Sequence, residues 1–429
     1  MRGRLGTRVL VCTWAIIAMG CGPGPEGWEE SFHDEAGNAP TLSTHEESPL
    51  AGGGLEVAPI REERAQGEPR PVPPMFQPGF HQALRWSYST GSVTFRLRVP
   101  VGRAGQRVRL TFRSGDGSLV LRKATVARAG PNGSLASAPV AVTFSGTPGF
   151  SVGKRVRVVS DPVPFAVGFR DELAVSFEVQ GALSVSAIMA LPGSYVRSGS
   201  YSSVPGALGG SAWEKAVGLM TVDVEGPPSR AFVALGDSIT EGYISDHDDT
   251  RRAWPSLAEA RLGVPLVNAG VSGQGFYDAL MNLDQEVLAL QGVTDCILLL
   301  GTNDLSSLGT SALQARMNTL ISRLRPFCRP WVGTLLPKEK SNHGDYEVVK
   351  AQRLEMNAWI RASFPNVIDF EAVTRQPNNV HLFIDGLEVD GIHPSAEGHR
   401  VMATEVVRVL REAGVRPEQG VQPRGESQP

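Results

Sequence analysis

Five short apolar runs that alternate with helical segments constrain the fold of this 429-residue chain more than any other feature. The runs are 231–235, 265–267, 296–300, 331–335 and 367–370, and the helical segments are 253–262, 277–290, 311–324, 346–363 and 395–412. Strands that alternate with helices form a parallel sheet covered by helices on both faces. We therefore predict a five-stranded parallel sheet in an α/β/α sandwich over residues 229–415, with functional groups at the carboxyl ends of its strands.

The N-terminal sequence has the pattern of a targeting segment. Three arginines precede an uncharged apolar stretch, 9–20, that ends in small residues before Cys21. This pattern predicts a signal peptide over residues 1–20, and about 12 apolar residues are too few for a membrane-spanning helix. The run 18–21 resembles a bacterial lipobox, which implies acylation of Cys21 and attachment to a membrane through that lipid; an ordinary cleaved signal with an incidental cysteine is the alternative. We expect an exported protein, either a cell-envelope lipoprotein or a secreted one.

Two segments lack apolar periodicity. Residues 21–74 contain 11 acids against 3 arginines, with 9 Pro and 8 Gly, which predicts a disordered acidic linker. Residues 416–429 form a polar tail that we also predict to be disordered.

The mature folded part contains two cysteines, Cys296 and Cys328, each at or just before a strand-like run. In an oxidising compartment they could form a disulfide. Two buried free thiols are an equal alternative.

Residues 75–228 have a pattern of their own. Apolar and polar residues alternate in short runs, such as 92–99, 106–113 and 154–159, separated by turn residues. This period of two predicts an all-β sandwich domain. The segment has 16 Lys and Arg against 8 acids, so its basic strand face either meets an anionic polymer or is simply solvated. Because no basic run is interleaved with aromatics, we predict no nucleic-acid partner.

Four polar blocks follow predicted strands of the C-terminal part, at 236–242, 268–273, 301–304 and 390–394. In the first block, a turn flanked by glycine projects Ser238 from the sheet edge. A serine hydroxyl becomes a nucleophile when an imidazole accepts its proton, and His393 suits that role. Asp390 lies three residues earlier and can orient the ring, while the Asn303 carboxamide can bind a negatively charged oxygen.

In this order, the four blocks resemble the SGNH hydrolases, also called GDSL-type esterases. The resemblance covers residues 230–414 and implies a flavodoxin-like sheet and no metal or organic cofactor. It implies these roles: Ser238 as nucleophile, His393 as base, Asp390 as orienting acid, and Ser238, Gly273 and Asn303 as the oxyanion hole. Trp254-Pro255 and the stretch 333–360 are further similar to the branch with xylan-esterase-like and arylesterase-like enzymes, and so, diffusely, is the β-domain.

The residues and the resemblance together favour an exported serine esterase that removes short acyl groups, acetyl in particular, from a carbohydrate. Its expected partner is an acylated small molecule or polysaccharide. A lipase, lysophospholipase or arylesterase is the alternative among enzymes. A surface polysaccharide-binding protein with a vestigial hydrolase domain is the alternative of another class. The complete set of site residues favours an active enzyme, since a degenerate copy should lack at least one.

Three other patterns have weaker support. Residues 149–153 match G-x-S-x-G, but they lie between strand-like runs and no helix follows. His393 and His399 lack the spacing of a zinc helix, and 246–249 lacks the glycine and terminal glutamate of a calcium loop. We predict no metal site.

Overall fold

The computed structural model describes residues 73–188, 191–213, 215–244, 250–418 and 420–422. The predicted signal peptide, Cys21, the linker up to residue 72 and the acidic run 246–249 lie outside the described residues. All described residues belong to one compact unit. Within it, an antiparallel β-rich domain precedes an α/β domain, as predicted.

The N-terminal domain is a sheet of eleven strands in the spatial order β1-β11-β3-β8-β2-β9-β10, with β4 to β7 each paired to β3. The strands are β1 (Met75–His81), β2 (Trp86–Val101), β3 (Gly105–Arg128), β4 (Val140–Val142), β5 (Phe150–Val152), β6 (Arg157–Val159), β7 (Val163–Val167), β8 (Asp171–Val185), β9 (Tyr195–Ser198), β10 (Ser211–Ala212) and β11 (Leu219–Gly226). Along β3, Val108, Leu110 and Phe112 are fully buried and alternate with the polar residues Arg109 and Thr111, as the period of two requires. The long β3 strand pairs with strands of both halves of the sheet, so the two halves share one core.

Many arginines of this domain form ion pairs or hydrogen bonds with other residues of the same domain. Arg107 pairs with Glu225 on the neighbouring strand, and Arg109 lies 3.0 Å from Asp223. Arg96 is buried, where its guanidinium donates to Ser176 and to backbone carbonyls. Much of the positive charge seen in the sequence therefore stabilises the sheet itself.

The C-terminal domain contains the predicted five-stranded parallel sheet, in the order β13-β12-β14-β15-β16. Its strands are β12 (Phe232–Gly236), β13 (Leu266–Gly270), β14 (Asp295–Leu299), β15 (Arg329–Gly333) and β16 (Val367–Ile368). Its helices are α1 (Ser238–Glu241), α2 (Trp254–Leu262), α3 (Phe276–Leu283), α4 (Thr310–Leu324), α5 (Tyr346–Ser363), α6 (Phe370–Thr374) and α7 (Ala396–Glu412). This strand order is the flavodoxin-like one, whose ligand crevice lies at the carboxyl ends of the strands.

The central strand β12 shows why the sheet is covered on both faces. Val233 and Leu235 enter the apolar layer on one face, while Phe232 and Ala234 enter the layer on the other. A strand buried on both faces reads as a continuous apolar run, which explains the sequence signal. Among the described residues, no helix combines the length and the apolar character that crossing a membrane requires.

Helix boundaries differ from the prediction at one place. The helix predicted over 277–290 ends at Leu283 and continues as a π-helical turn, Asp284–Leu288. Within this turn Glu286 is buried because it pairs with Arg85 of the β-rich domain. This partner is distant in sequence, so the helical periodicity could not reveal it. The short helices α1 and α6 were not predicted either, because four or five residues carry no periodic signal.

The two domains share polar contacts. Gln82, just after β1, forms a parallel bridge with Asn268 on the edge strand β13. Arg170 of the β-rich domain donates to Glu259 at 2.6 Å, and Arg103 donates to Glu418 at 3.0 Å. Glu418 lies within the tail that we predicted to be disordered from residue 416. There its carboxylate pairs with Arg103, which is buried, and the disorder of the tail stays a prediction.

Cys296 on β14 and Cys328 just before β15 form a disulfide across a separation of 32 residues. We expect the double variant Cys296→Ala/Cys328→Ala to lose about 3–4 kcal/mol of unfolding free energy, because the bond removes chain entropy from the unfolded state. Urea unfolding of both proteins, each without reductant, measures this difference. An unchanged midpoint would show that the bond contributes nothing to stability.

Candidate active site

Ser238 lies where the central strand β12 turns into α1. Gly236 allows this turn, since a Cβ at that position would lie 2.1 Å from the Thr240 hydroxyl and 2.5 Å from the Leu299 carbonyl. The Asp237 carboxylate caps α1 by accepting a hydrogen bond from the Ile239 amide at 3.0 Å. The serine is therefore the first residue of a helix at the carboxyl edge of the sheet, where its side chain is partly exposed.

The Ser238 hydroxyl lies 2.8 Å from Nε2 of His393, 155 residues further along the chain. The other ring nitrogen, Nδ1, lies 3.0 Å from the Asp390 carboxylate. A carboxylate only accepts hydrogen bonds, so Nδ1 carries the proton and Nε2 is free to accept one from the serine. The structure thus brings the three predicted catalytic side chains into one hydrogen-bonded chain.

Asp390 is held ionised by its own turn. Its second oxygen accepts from the amides of Ile392 and His393 at 3.0 and 2.9 Å, around Gly391 with a left-handed φ of 79°. Burial opposes ionisation, but the hydrogen bonds from the His393 amide and ring lower the pKa of Asp390. The carboxylate therefore stays charged at neutral pH, as an acid that orients a histidine must.

The two other predicted oxyanion residues lie on the neighbouring loops. Gly273 follows β13 with a φ of 78°, a conformation that favours glycine. Asn303 follows β14, and its carboxamide donates to the Gln274 carbonyl at 3.1 Å. This bond joins the two loops beside the Ser238 turn. That Ser238, Gly273 and Asn303 donate to a reacting oxygen stays a prediction.

Residues 234–401, which carry all of these groups, match the profile of the GDSL-like lipase/acylhydrolase family. The predicted resemblance to the GDSL-type hydrolases is therefore confirmed over these residues. The chain is also similar to solved structures, although a comparison with curated proteins found no match. A G-D-S-L family protein from Desulfitobacterium hafniense is 24% identical, covers 42% of this chain and 100% of its own, and has a TM-score of 0.37. An acetylxylan esterase from Geobacillus stearothermophilus is 16% identical over 46% of this chain and 97% of its own, with a TM-score of 0.35.

Gln274 is a residue of the GDSL-like site that the sequence analysis missed. The side-chain NH₂ group of Gln274 donates to the Gly236 carbonyl, two residues before the nucleophile. The backbone carbonyl of Gln274 accepts from the Asn303 carboxamide. It is nearly fully buried. One residue thus ties together the first three blocks of the GDSL-like site. Its place directly after Gly273 was the available signal.

Tyr243 and Glu241 were missed as well. The Tyr243 ring packs against the His393 ring with centroids 4.3 Å apart, which restricts the position of the base. The buried Glu241 carboxylate accepts from the Ser272 amide at 2.6 Å and from the Ala187 amide of the β-rich domain at 3.0 Å. Both residues follow the nucleophile within five positions, but only the fold shows what they contact.

Asp304 closes the third block and caps α3 through the Phe276 amide at 3.1 Å. Burial raises the pKa of Asp304 to about 6, above its ordinary 3.8. Between these values the folded protein binds more protons than the unfolded one, so this carboxyl makes the unfolding free energy fall as pH rises.

An Asp304→Asn variant should remove that dependence while keeping an oxygen to cap the helix. We expect its unfolding free energy, relative to the wild type, to rise by about 1–3 kcal/mol from pH 4 to pH 7. Urea unfolding at pH 4, 5.5 and 7 measures this difference. A difference that does not change with pH would contradict the raised pKa.

The other motifs have structural roles or lie outside the description. Ser151 of the G-x-S-x-G match lies on β5, paired with β3, so it is not at a strand-to-helix turn. His399 is buried, where Nδ1 accepts from the Trp254 amide at 3.3 Å and Nε2 lies 3.2 Å from the Tyr243 carbonyl. Burial lowers the pKa of His399 to about 4, so it remains neutral. Within the described ranges, no three His, Cys, Asp or Glu side chains are grouped to hold a metal.

Proposed function

We propose that this protein is an exported serine esterase that removes short acyl groups, acetyl in particular, from a carbohydrate. The observation that carries the esterase part is the hydrogen-bonded chain from Ser238 through His393 to Asp390. The Ser238 oxygen attacks the ester carbonyl carbon while Nε2 of His393 takes its proton. The carbonyl oxygen becomes negative, and the amides of Ser238 and Gly273 with the Asn303 carboxamide are the groups proposed to bind it.

The tetrahedral intermediate then breaks at the bond to the alcohol. The alcohol leaves with the proton from Nε2, and the acyl group remains on Ser238. Water repeats the sequence: His393 takes its proton, the acid is released and the serine is restored. Throughout, the charged Asp390 stabilises the imidazolium.

A cavity in the β-rich domain supports a carbohydrate as the alcohol. Its volume is about 660 Å³, and its walls include Trp86, Tyr88 and Trp213. The rings of Tyr88 and Trp213 lie 4.9 Å apart, and Trp86 is 52% exposed. Flat aromatic faces of this kind stack on the C–H faces of pyranose rings. Ala187 also lines the cavity, and its amide binds Glu241 of α1, which begins at the nucleophile.

Two exposed side chains favour the alternative of a lipase or lysophospholipase. Tyr277 and Met281 are 62% and 67% exposed and lie four residues apart on α3, just after Gln274. Residues four apart lie on the same face of a helix, so together they offer an apolar surface beside the oxyanion loop. A long acyl chain would pack there, whereas an acetyl group would not reach it.

Hydrolysis of nitrophenyl acetate, nitrophenyl palmitate and an acetylated oligosaccharide separates these functions. We expect the acetates to be hydrolysed and the palmitate to react far more slowly. Trp86→Ala should lower kcat/KM for the acetylated oligosaccharide about 5- to 10-fold and leave nitrophenyl acetate unchanged. Tyr277→Ala is the matched control, because it removes an exposed aromatic ring outside this cavity. We expect it to leave hydrolysis of the acetylated oligosaccharide unchanged. A preference for palmitate that depends on Tyr277 would overturn the acetyl proposal.

Export and lipid attachment are part of the proposal. They are supported by the arginines and the apolar run before Cys21, followed by an acidic linker. Expression of the full chain in a bacterial host, with metabolic labelling by palmitate, tests the attachment. Label in the wild type that is lost in Cys21→Ala would support it. Unlabelled protein in the culture medium would favour secretion.

A further inference from the structure

Arg85 lies in the segment between β1 and β2 of the β-rich domain, yet its guanidinium contacts the GDSL-like site. Nη2 donates to Oε1 of Gln274 at 2.9 Å. The same guanidinium forms a bidentate pair with Glu286, through Nε at 3.0 Å and Nη2 at 2.7 Å. Glu286 is 2% exposed and Arg85 is 18% exposed. A bidentate pair that is largely buried fixes the plane of the guanidinium, and so the direction of its bond to Gln274.

The bond from Arg85 decides which way the Gln274 amide group faces. A glutamine side chain has one accepting oxygen and one donating nitrogen on opposite sides. Because Arg85 can only donate, Oε1 must face it, and Nε2 must then face the Gly236 carbonyl. Without Arg85, the side-chain amide of Gln274 could rotate. The Gly236 carbonyl at the end of β12 would then face Oε1 of Gln274, which cannot donate a hydrogen bond.

We infer that Arg85 is a positioning residue for the reaction and acts through Gln274 to hold the three loops that carry Ser238, Gly273 and Asn303. This inference rests on the proposed esterase function. It makes the β-rich domain part of the catalytic apparatus, since the residue that sets the geometry of the loops comes from outside the GDSL-like domain. The reacting atoms never touch Arg85, so its removal should alter turnover more than binding.

The test uses the full folded chain and nitrophenyl acetate. We expect Arg85→Met to lower kcat about 10-fold with little change in KM, because a small displacement of positioned groups is costly in turnover. Arg85→Lys keeps a positively charged donor but loses the bidentate pair. Its kcat should lie between that of the wild type and that of Arg85→Met. In the double variant Arg85→Met/Gln274→Met, kcat should equal that of Gln274→Met alone, since Arg85 acts through Gln274.

Arg170→Met is the matched control. Arg170 is also a largely buried arginine of the β-rich domain that pairs with a buried carboxylate of the other domain, Glu259 at 2.6 Å. Within the described part of the chain, the further hydrogen bonds of this pair go to Ser256 and to the Leu266 amide and not to the oxyanion loops. Its removal should therefore reduce thermal stability while kcat per folded molecule stays within about 2-fold of the wild type. An equal loss of kcat in Arg85→Met and Arg170→Met would overturn the inference, as would additive effects of Arg85→Met and Gln274→Met.

Hydrogen–deuterium exchange gives a readout that does not depend on esterase activity. Arg85→Met should speed amide exchange in peptides that cover 234–240 and 268–276, whereas Arg170→Met should not. If the wild type hydrolyses no ester and Arg85→Met still loosens these peptides, the proposed function fails and the positioning role stands. Unchanged exchange in both peptides would overturn the positioning role, whatever the activity.

Discussion

Replacing Ser238 by alanine should abolish ester hydrolysis, with kcat on nitrophenyl acetate falling about 10⁵- to 10⁶-fold. The Ser238 oxygen lies 2.8 Å from Nε2 of His393, the nitrogen that accepts its proton, and it is the atom that forms the bond to the acyl group. Without it, the acyl-enzyme cannot form, and water attacks the bound ester with help only from the surrounding hydrogen-bond donors. Initial rates at saturating substrate, with circular dichroism to show that the variant is folded, measure the loss.

Ser151→Ala is the matched control for this variant. Ser151 belongs to the second sequence pattern that could have carried a nucleophile, but it is exposed on β5. We expect its activity to match the wild type. A wild type no faster than Ser238→Ala would instead favour the surface binding protein, the alternative of another class.

The sheet and the catalytic side chains could be predicted because their signals are local. Each strand of the α/β domain is an apolar run, and Ser238 and His393 each lie in a short block with a distinctive composition. Parallel strands place such blocks at one edge, so the meeting of residues 155 positions apart follows from the topology.

The supporting contacts could not be predicted, because they depend on pairs distant in sequence. Arg85 and Gln274 are separated by 189 residues, and Arg103 and Glu418 by 315. Nothing in the local composition distinguishes Arg85 from the other arginines of the β-rich domain. The same limit applies to the net positive charge of that domain, which the sequence could assign either to a face that meets a polymer or to a solvated face. In the structure, many of these arginines pair with carboxylates across strands and domains.

Replacing Asp390 by asparagine should lower kcat about 10³-fold. Asparagine keeps an oxygen for the amides of Ile392 and His393, so the turn should survive. Its NH₂ group can only donate to Nδ1, which drives the ring proton to Nε2 and removes the base from the serine. The loss should be smaller than the roughly 10⁴-fold expected for a fully buried acid, because the Asp390 side chain is 32% exposed and water can partly replace it.

Glu388→Gln is the control for Asp390→Asn, since Glu388 is the other carboxylate of this turn and accepts from the Gly391 amide. A glutamine can accept the same bond, so kcat should stay within about 3-fold of the wild type. If Glu388→Gln lost as much activity as Asp390→Asn, the histidine would be oriented by the shape of the turn rather than by one charge. The lowered pKa of Asp390 and its direct bond to Nδ1 argue for the charge, because an ionised carboxylate stabilises the imidazolium formed at each proton transfer.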